Sequence, residues 1–96
     1  MALLTEELRA KLSPLYSTER EPDPTVWLKF FIPIAGWTWY VIEFDGKDLF
    51  FGLVIGFERE LGYFRLSELE EVGAELGVHV ERDKFFQPTR LSQLKS

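Results

Sequence analysis

The sequence predicts an α+β domain: a small, curved, mainly antiparallel sheet with an N-terminal helix and a short second helix packed on it. Three observations predict it. Residues 36–57, GWTWYVIEFDGKDLFFGLVIGF, set two aromatic and β-branched runs on either side of one Asp-Gly turn. A leucine stripe at i, i+4 spacing opens the chain. A capping-box pattern, Ser67-Glu68-Leu69-Glu70, starts a second helical stretch.

The elements follow in order. Thr5 caps the first helix, Glu6 and Glu7 suit its positive end, and Leu4, Leu8 and Leu12 share one face. Pro14 ends it. Tyr16 to Pro24 is a loop, since Pro22 and Pro24 offer no amide and no periodicity survives. Val26 to Ile32 is a strand interrupted by Lys29, and Pro33 to Gly36 turns the chain. Thr38 to Phe44 alternates Thr38, Tyr40, Ile42 and Phe44 against Trp37, Trp39, Val41 and Glu43. Both sets are largely apolar, as in a central strand covered on two sides.

The turn that follows sets the register. A two-residue Asp45-Gly46 loop would oppose Glu43 and Asp48, two like charges. A four-residue loop, Asp45 to Asp48, instead opposes Phe44 with Leu49, Ile42 with Phe51 and Tyr40 with Leu53. It lays Val41 over Gly52 and Trp37 over Gly56, so large residues cover the glycines. The partner strand runs from Leu49 to Phe57, with Phe50, Gly52, Val54 and Gly56 on one face. Glu58 to Gly62 reads as a polar hairpin loop, and Tyr63-Phe64 as a short third arm. The second helix is expected to stop at Gly73. Val78 and Val80 mark a last strand reaching Arg82, with His79 and Glu81 on its reverse, and Leu91 to Leu94 form a final turn.

Composition narrows the function. Ninety-six residues are expected to form one domain, 1–96, and 46% apolar residues with nine Phe suffice for its core. No cysteine is present, which removes disulfides, thiolate metal sites and thiol nucleophiles. Eleven basic against sixteen acidic residues give a net charge of −5, the wrong sign for a general duplex binder. The longest apolar run, Leu49 to Phe57, has nine residues, too few for a membrane helix, and MALLTEELRAKL lacks signal-peptide features. A cytoplasmic protein without membrane association is expected.

No pattern reads as a catalytic signature. His79 is the one histidine, with Glu81 on the same side of its strand, and an orienting partner would be needed for base catalysis. One imidazole without thiolates does not suit zinc. Glu43, Asp45 and Asp48 gather near a turn but lack calcium-loop spacing, and turn aspartates ordinarily bond local amides. No metal and no cofactor are expected. Stacking on single-stranded nucleic acid would require Lys29, Arg65, Arg82, Lys84 and Arg90 to converge beside an exposed Trp or Tyr. A hydrolase or ligand-binding domain would require a pocket holding His79 or the Asp45/Asp48 pair.

PLYSTE at 14–19, TWYVIEFDGKDLFFGLVIGFERELGYF at 38–64, LSELE at 66–70 and ERD at 81–83 resemble a bacterial family of unknown function. Its members are small stand-alone proteins, often carried on plasmids and integrative or conjugative elements. The resemblance spans most of the chain. It implies a cytoplasmic accessory of mobile-element maintenance or of the host DNA-processing apparatus, and it transfers no catalytic residue. The family's characteristic polar positions fall at Tyr16, Glu43, Asp45, Gly46, Asp48 and Glu81. The leading expectation is an interaction domain that binds a protein through an aromatic, acid-rimmed surface. Its binding set is Tyr16, Trp27, Trp37, Trp39, Glu43, Asp45, Asp48 and Glu81. A sheet edge is also available for a homodimer.

Overall fold

The structure, a computed structural model, describes residues 3–94, and of residues 73–76 the backbone only. Its elements are α1 (Glu6–Arg9), β1 (Ser13–Pro14), β2 (Thr25–Val26), β3 (Leu28–Phe31), β4 (Thr38–Phe44), β5 (Leu49–Ile55), β6 (Arg59–Arg65), α2 (Leu66–Leu76), β7 (Glu81–Arg82) and β8 (Thr89–Arg90), then a 3-10 turn (Leu91–Gln93). The main sheet runs β6-β5-β4-β3-β7, with β1 also on β4, while β2 and β8 form a separate ribbon. The ladders are antiparallel apart from β1–β4. The α+β class holds.

Both faces of β4 are covered. On one face Trp39, Val41, Phe44, Phe30 and Phe50 pack with Leu3 and Leu4 of the N-terminal segment and Leu69 of α2, joined by Leu8 and Leu12. On the other, Tyr40, Ile42 and Leu53 pack with Val26, Phe86, Leu91 and Leu94. The first helix is shorter than its leucine stripe suggested, yet the stripe still faces one core, and the Thr5 hydroxyl accepts from the Leu8 amide at 3.2 Å. The strand expected over 26–32 divides at Trp27, whose amide bonds the Val41 carbonyl at 2.8 Å.

Four expectations are corrected. The third arm is a full seven-residue strand, because a tight turn at Gly56–Glu58, closed by a 3.0 Å bond from the Gly56 amide to the Glu58 carbonyl, lets Arg59 pair with Ile55. Helix α2 passes through Gly73 and ends before Gly77, which adopts φ +69. It also starts at Leu66, and Ser67 donates its amide and hydroxyl to Asp48, both at 2.8 Å. The last strand is only Glu81–Arg82; Val80 is nonetheless buried, and His79 and Glu81 are exposed as their alternation required.

The register at the Asp-Gly turn is half as expected. Tyr40 faces Leu53, Val41 faces Gly52, and the Trp37 ring lies on Gly56, where a Cβ would come within 2.3 Å of it. Beyond Val41 one extra residue enters β4, so Glu43 rather than Ile42 faces Phe51, and Phe44 faces Phe50 instead of Leu49. This bulge reverses the facing of everything after it. Phe44 turns into the first core and stacks on Phe50 at 4.6 Å, while Glu43 moves to the opposite face. Gly52 permits the close approach: a Cβ there would sit 1.9 Å from the Tyr40 carbonyl oxygen.

Candidate interaction surface

At the Asp-Gly end of the sheet, acidic side chains bond backbone. Glu43 is only 2% exposed. Its Oε1 accepts from the Tyr16 amide at 2.7 Å, and its Oε2 accepts from the Thr18 amide at 2.8 Å and from the Thr18 hydroxyl. Through these bonds the loop after β1 is tied to the sheet, with Tyr16 held at φ +68, a left-handed conformation costly for a residue with a Cβ. The exposed Tyr16 ring leans on Tyr63 at 6.3 Å. Partial desolvation pushes the Tyr63 phenol up, and neighbouring Tyr16, Glu43 and Glu19 push it further.

Asp45 and Asp48 are engaged in the same way. The Asp45 Oδ1 accepts from the amides of Lys47, Asp48 and Leu49 at 2.8, 2.9 and 3.0 Å. Burial pushes its pKa up, but those three amides outweigh burial and hold it below the ordinary value. Asp48 caps α2 from across the hairpin: the Ser67 amide and hydroxyl lower its pKa, burial opposes them, and Arg65 at 3.7 Å lowers it further. Among the described residues, no three His, Asp or Glu side chains are arranged to hold a metal ion.

The opposite end of the sheet is apolar. The β3–β4 and β5–β6 turns both emerge there, since the strands are antiparallel neighbours. Phe57 in the second turn is 95% exposed and Ile34 in the first is 80% exposed. Trp37 stands between two grooves. One, of about 290 Å³, is lined by Ile32, Ala35, Trp37, Trp39 and Val72 of α2. The other, of about 240 Å³, is lined by Trp37, Val54, Gly56, Phe57, Glu58 and Glu60. The Trp37 ring contacts Trp39 at 5.9 Å and meets Phe57 edge-on at 5.5 Å. Trp39 itself is buried, and Trp37 half-buried.

A third groove, of about 440 Å³, lies between the N-terminal segment and the chain after β7. Lys11, Trp27, Arg82, Lys84 and Phe86 line it with Glu7 and Asp83. The half-buried Trp27 donates its Nε1–H to the Ser13 hydroxyl at 3.2 Å. Of the five cations a nucleic-acid reading required, Arg82 and Lys84 reach this groove, and Lys29 stands beside it in an ion pair with Asp83 at 3.8 Å. Arg65 is at Asp48 instead, and Arg90 donates to the Asp23 carbonyl at 2.9 Å. Lys11 joins the groove unforeseen.

The residues expected to bind are therefore dispersed. Trp37 and Trp39 share the apolar tip, Trp27 lines the basic groove, and Tyr16, Glu43, Asp45 and Asp48 lie toward the opposite end. Glu81 is exposed on β7, its backbone paired with Phe31. His79 is exposed and lines none of these three grooves. Sequence reasoning missed Phe57 and Ile34. The available signal for Ile34 was a large apolar residue within the expected Pro33–Gly36 turn, whereas Phe57 was expected to end the strand from Leu49, which instead ends at Ile55.

Fold and surface define a small, mainly antiparallel α+β domain with an apolar tip presented to solvent. By sequence, the chain belongs to the family DUF2958, described as a protein of unknown function, whose model matches residues 3–94. No curated protein and no solved structure matches it. Among the described residues, no helix is long and apolar enough to cross a membrane.

Proposed function

We propose that the protein is an accessory domain that binds a protein partner through the Trp37 ridge. An apolar side chain of the partner, flanked by basic residues, would seat between Phe57 and Ile34. The exposure of Phe57 carries this reading: an aromatic ring almost wholly in water is held edge-on against a second ring, which in turn rests on a glycine. Positioned aromatic groups of this kind anchor interfaces, because little side-chain entropy is left to lose on binding. Glu58 and Glu60 line the ridge and the chain carries −5, which favours a basic flank and speeds its approach.

The test is comparative capture from the native host with unmodified protein, Phe57→Ala and Phe85→Ala as baits. Phe85 is equally exposed but lies in another turn. A partner retained by the unmodified and Phe85→Ala baits but lost with Phe57→Ala supports the ridge. Partners retained equally by all three overturn it.

The basic groove favours a second reading, a site for single-stranded nucleic acid. Lys11, Arg82 and Lys84 line the same groove as Trp27, which brings cations and an aromatic surface together as such ligands need. Titration with a labelled oligonucleotide at low and high salt tests it. Salt-sensitive binding that Lys11→Glu and Lys84→Glu abolish supports this site, and no association at low salt removes it.

A further inference from the structure

Strand β6 closes one side of the sheet and pairs with β5 without a bulge, from Leu49↔Arg65 to Ile55↔Arg59. Two bonds fix which way its backbone points. The Leu66 amide donates to the Asp48 carbonyl, and the Gly56 amide donates to the Glu58 carbonyl. Even-numbered residues of the β6 side therefore direct their N–H and C=O toward β5. Those of Arg59, Leu61, Tyr63 and Arg65 point off the edge. The same residues put their side chains on the sheet face that carries Phe51, where Leu61 is 52% and Tyr63 51% exposed. The β2–β8 layer covers this face over β4 and leaves the β6 side open. Neither a proline nor a lysine guards the strand.

A second copy added antiparallel about a two-fold axis has few registers. Centring on Glu60 places two carboxylates directly opposite each other, and centring on Gly62 opposes Arg59 with Arg65. Centring on Tyr63 leaves Arg59 and Glu60 facing helix α2 rather than a strand. Centring on Leu61 opposes Leu61 with itself, Glu60 with Gly62, and Arg59 with Tyr63. The last pair sets a guanidinium against a tyrosine ring, beside a groove that Glu19 and Glu21 line with Leu61 and Tyr63.

We propose that two copies of this chain pair through β6 in the register centred on Leu61, joining their sheets into one. The contact is isologous, so it closes at two subunits and uses up the edge. It borders the Trp37 ridge at Glu60, which lines the ridge's second groove, while Leu61 and Tyr63 sit on the opposite sheet face from that groove.

Because the chain has no cysteine, an introduced one reports on the register directly. Facing residues in a hydrogen-bonded antiparallel pair have Cα atoms about 5.5 Å apart, within the disulfide range of roughly 4.4–6.8 Å. Leu61→Cys is therefore expected to oxidise to a covalent dimer, whereas Tyr63→Cys, facing Arg59, is expected to remain largely monomeric. A mixture of Arg59→Cys and Tyr63→Cys proteins is expected to cross-link to each other. Sedimentation of the unmodified chain is expected to show a dimer that Leu61→Arg converts to monomer, with unchanged circular dichroism. A sedimenting monomer up to millimolar concentration, with no Leu61→Cys cross-linking, overturns the proposal. Faster cross-linking at Gly62→Cys than at Leu61→Cys overturns the register.

Discussion

The two ends of the sheet hold similar kinds of residue and use them in opposite ways. At the Asp-Gly end, Glu43, Asp45 and Asp48 bond backbone amides and hold loops and a helix start in place. At the other end, Phe57 and Ile34 stand in water with Trp37 half-covered behind them. An acidic rim around an aromatic patch is a natural reading of the sequence, but the carboxylates that border the Trp37 groove are Glu58 and Glu60, while Glu43, Asp45 and Asp48 lie at the other end of β4. Carboxylates that already accept two or three hydrogen bonds have little capacity left for a partner, whereas an exposed ring has nearly its whole area to bury. The carboxylates at one end are occupied with backbone, and the rings at the other are open to contact.

The largest expected effect tests the polar end. Glu43→Leu leaves the Tyr16 and Thr18 amides without an acceptor and is expected to cost about 4 kcal/mol, read from the urea midpoint. Glu43→Gln keeps one acceptor oxygen and should cost roughly half of that. A near-neutral Glu43→Leu would mean that the loop is held by something else. Gly52→Ala follows at about 2–3 kcal/mol, since its Cβ meets backbone that must move. The nearest atoms to a Gly56→Ala methyl belong to the Trp37 ring, a side chain rather than backbone, so it should cost less while shifting tryptophan fluorescence.

What the sequence disclosed, and what it hid, follows the same division. Alternation placed β4 and β5, and the covering of Gly56 by Trp37 was readable because both follow from period two. The bulge at Ile42 was not readable: Phe44, Leu49 and Phe50 are all apolar, so either register satisfies the pattern locally. Strand β6 was hidden because an edge strand tolerates Arg59 and Glu60, whose letters resemble a loop. The roles of Glu43 and Asp48 depend on partners 25 to 27 and 19 residues away, beyond any periodicity. Capping motifs report that a helix needs an acceptor, not which residue supplies it.

Acid tests the polar end more gently. The Ser67 bonds hold the Asp48 pKa below the ordinary aspartate value, so the native state binds that proton less readily than the unfolded chain. Its contribution is complete above the unfolded pKa, about 3.9, and is lost as pH falls through the lowered native value. Asp23, lowered chiefly by the Ser92 hydroxyl, and Asp45 act in the same sense. Urea midpoints measured from neutral pH into the acid range should decline, and Asp48→Asn should decline less over the same interval. Identical acid limbs would detach Asp48 from the cap.

The smallest effect on stability carries the most weight for function. Phe57→Ala removes a ring that is 95% in water, so the urea midpoint should shift by no more than about 0.5 kcal/mol. A loss several times larger would make Phe57 part of the fold and erase the contrast between the two ends. The edge-on contact with Trp37 is a packing term at risk, and aromatic pairs contribute only about 0.5–1.5 kcal/mol even when covered. Tryptophan emission offers an internal check. Removing the ring from one side of Trp37 should shift its emission, while the Trp37 seat on Gly56 keeps the ridge in place. Unchanged stability with a changed Trp37 environment is the signature of a side chain held in position for something outside the molecule.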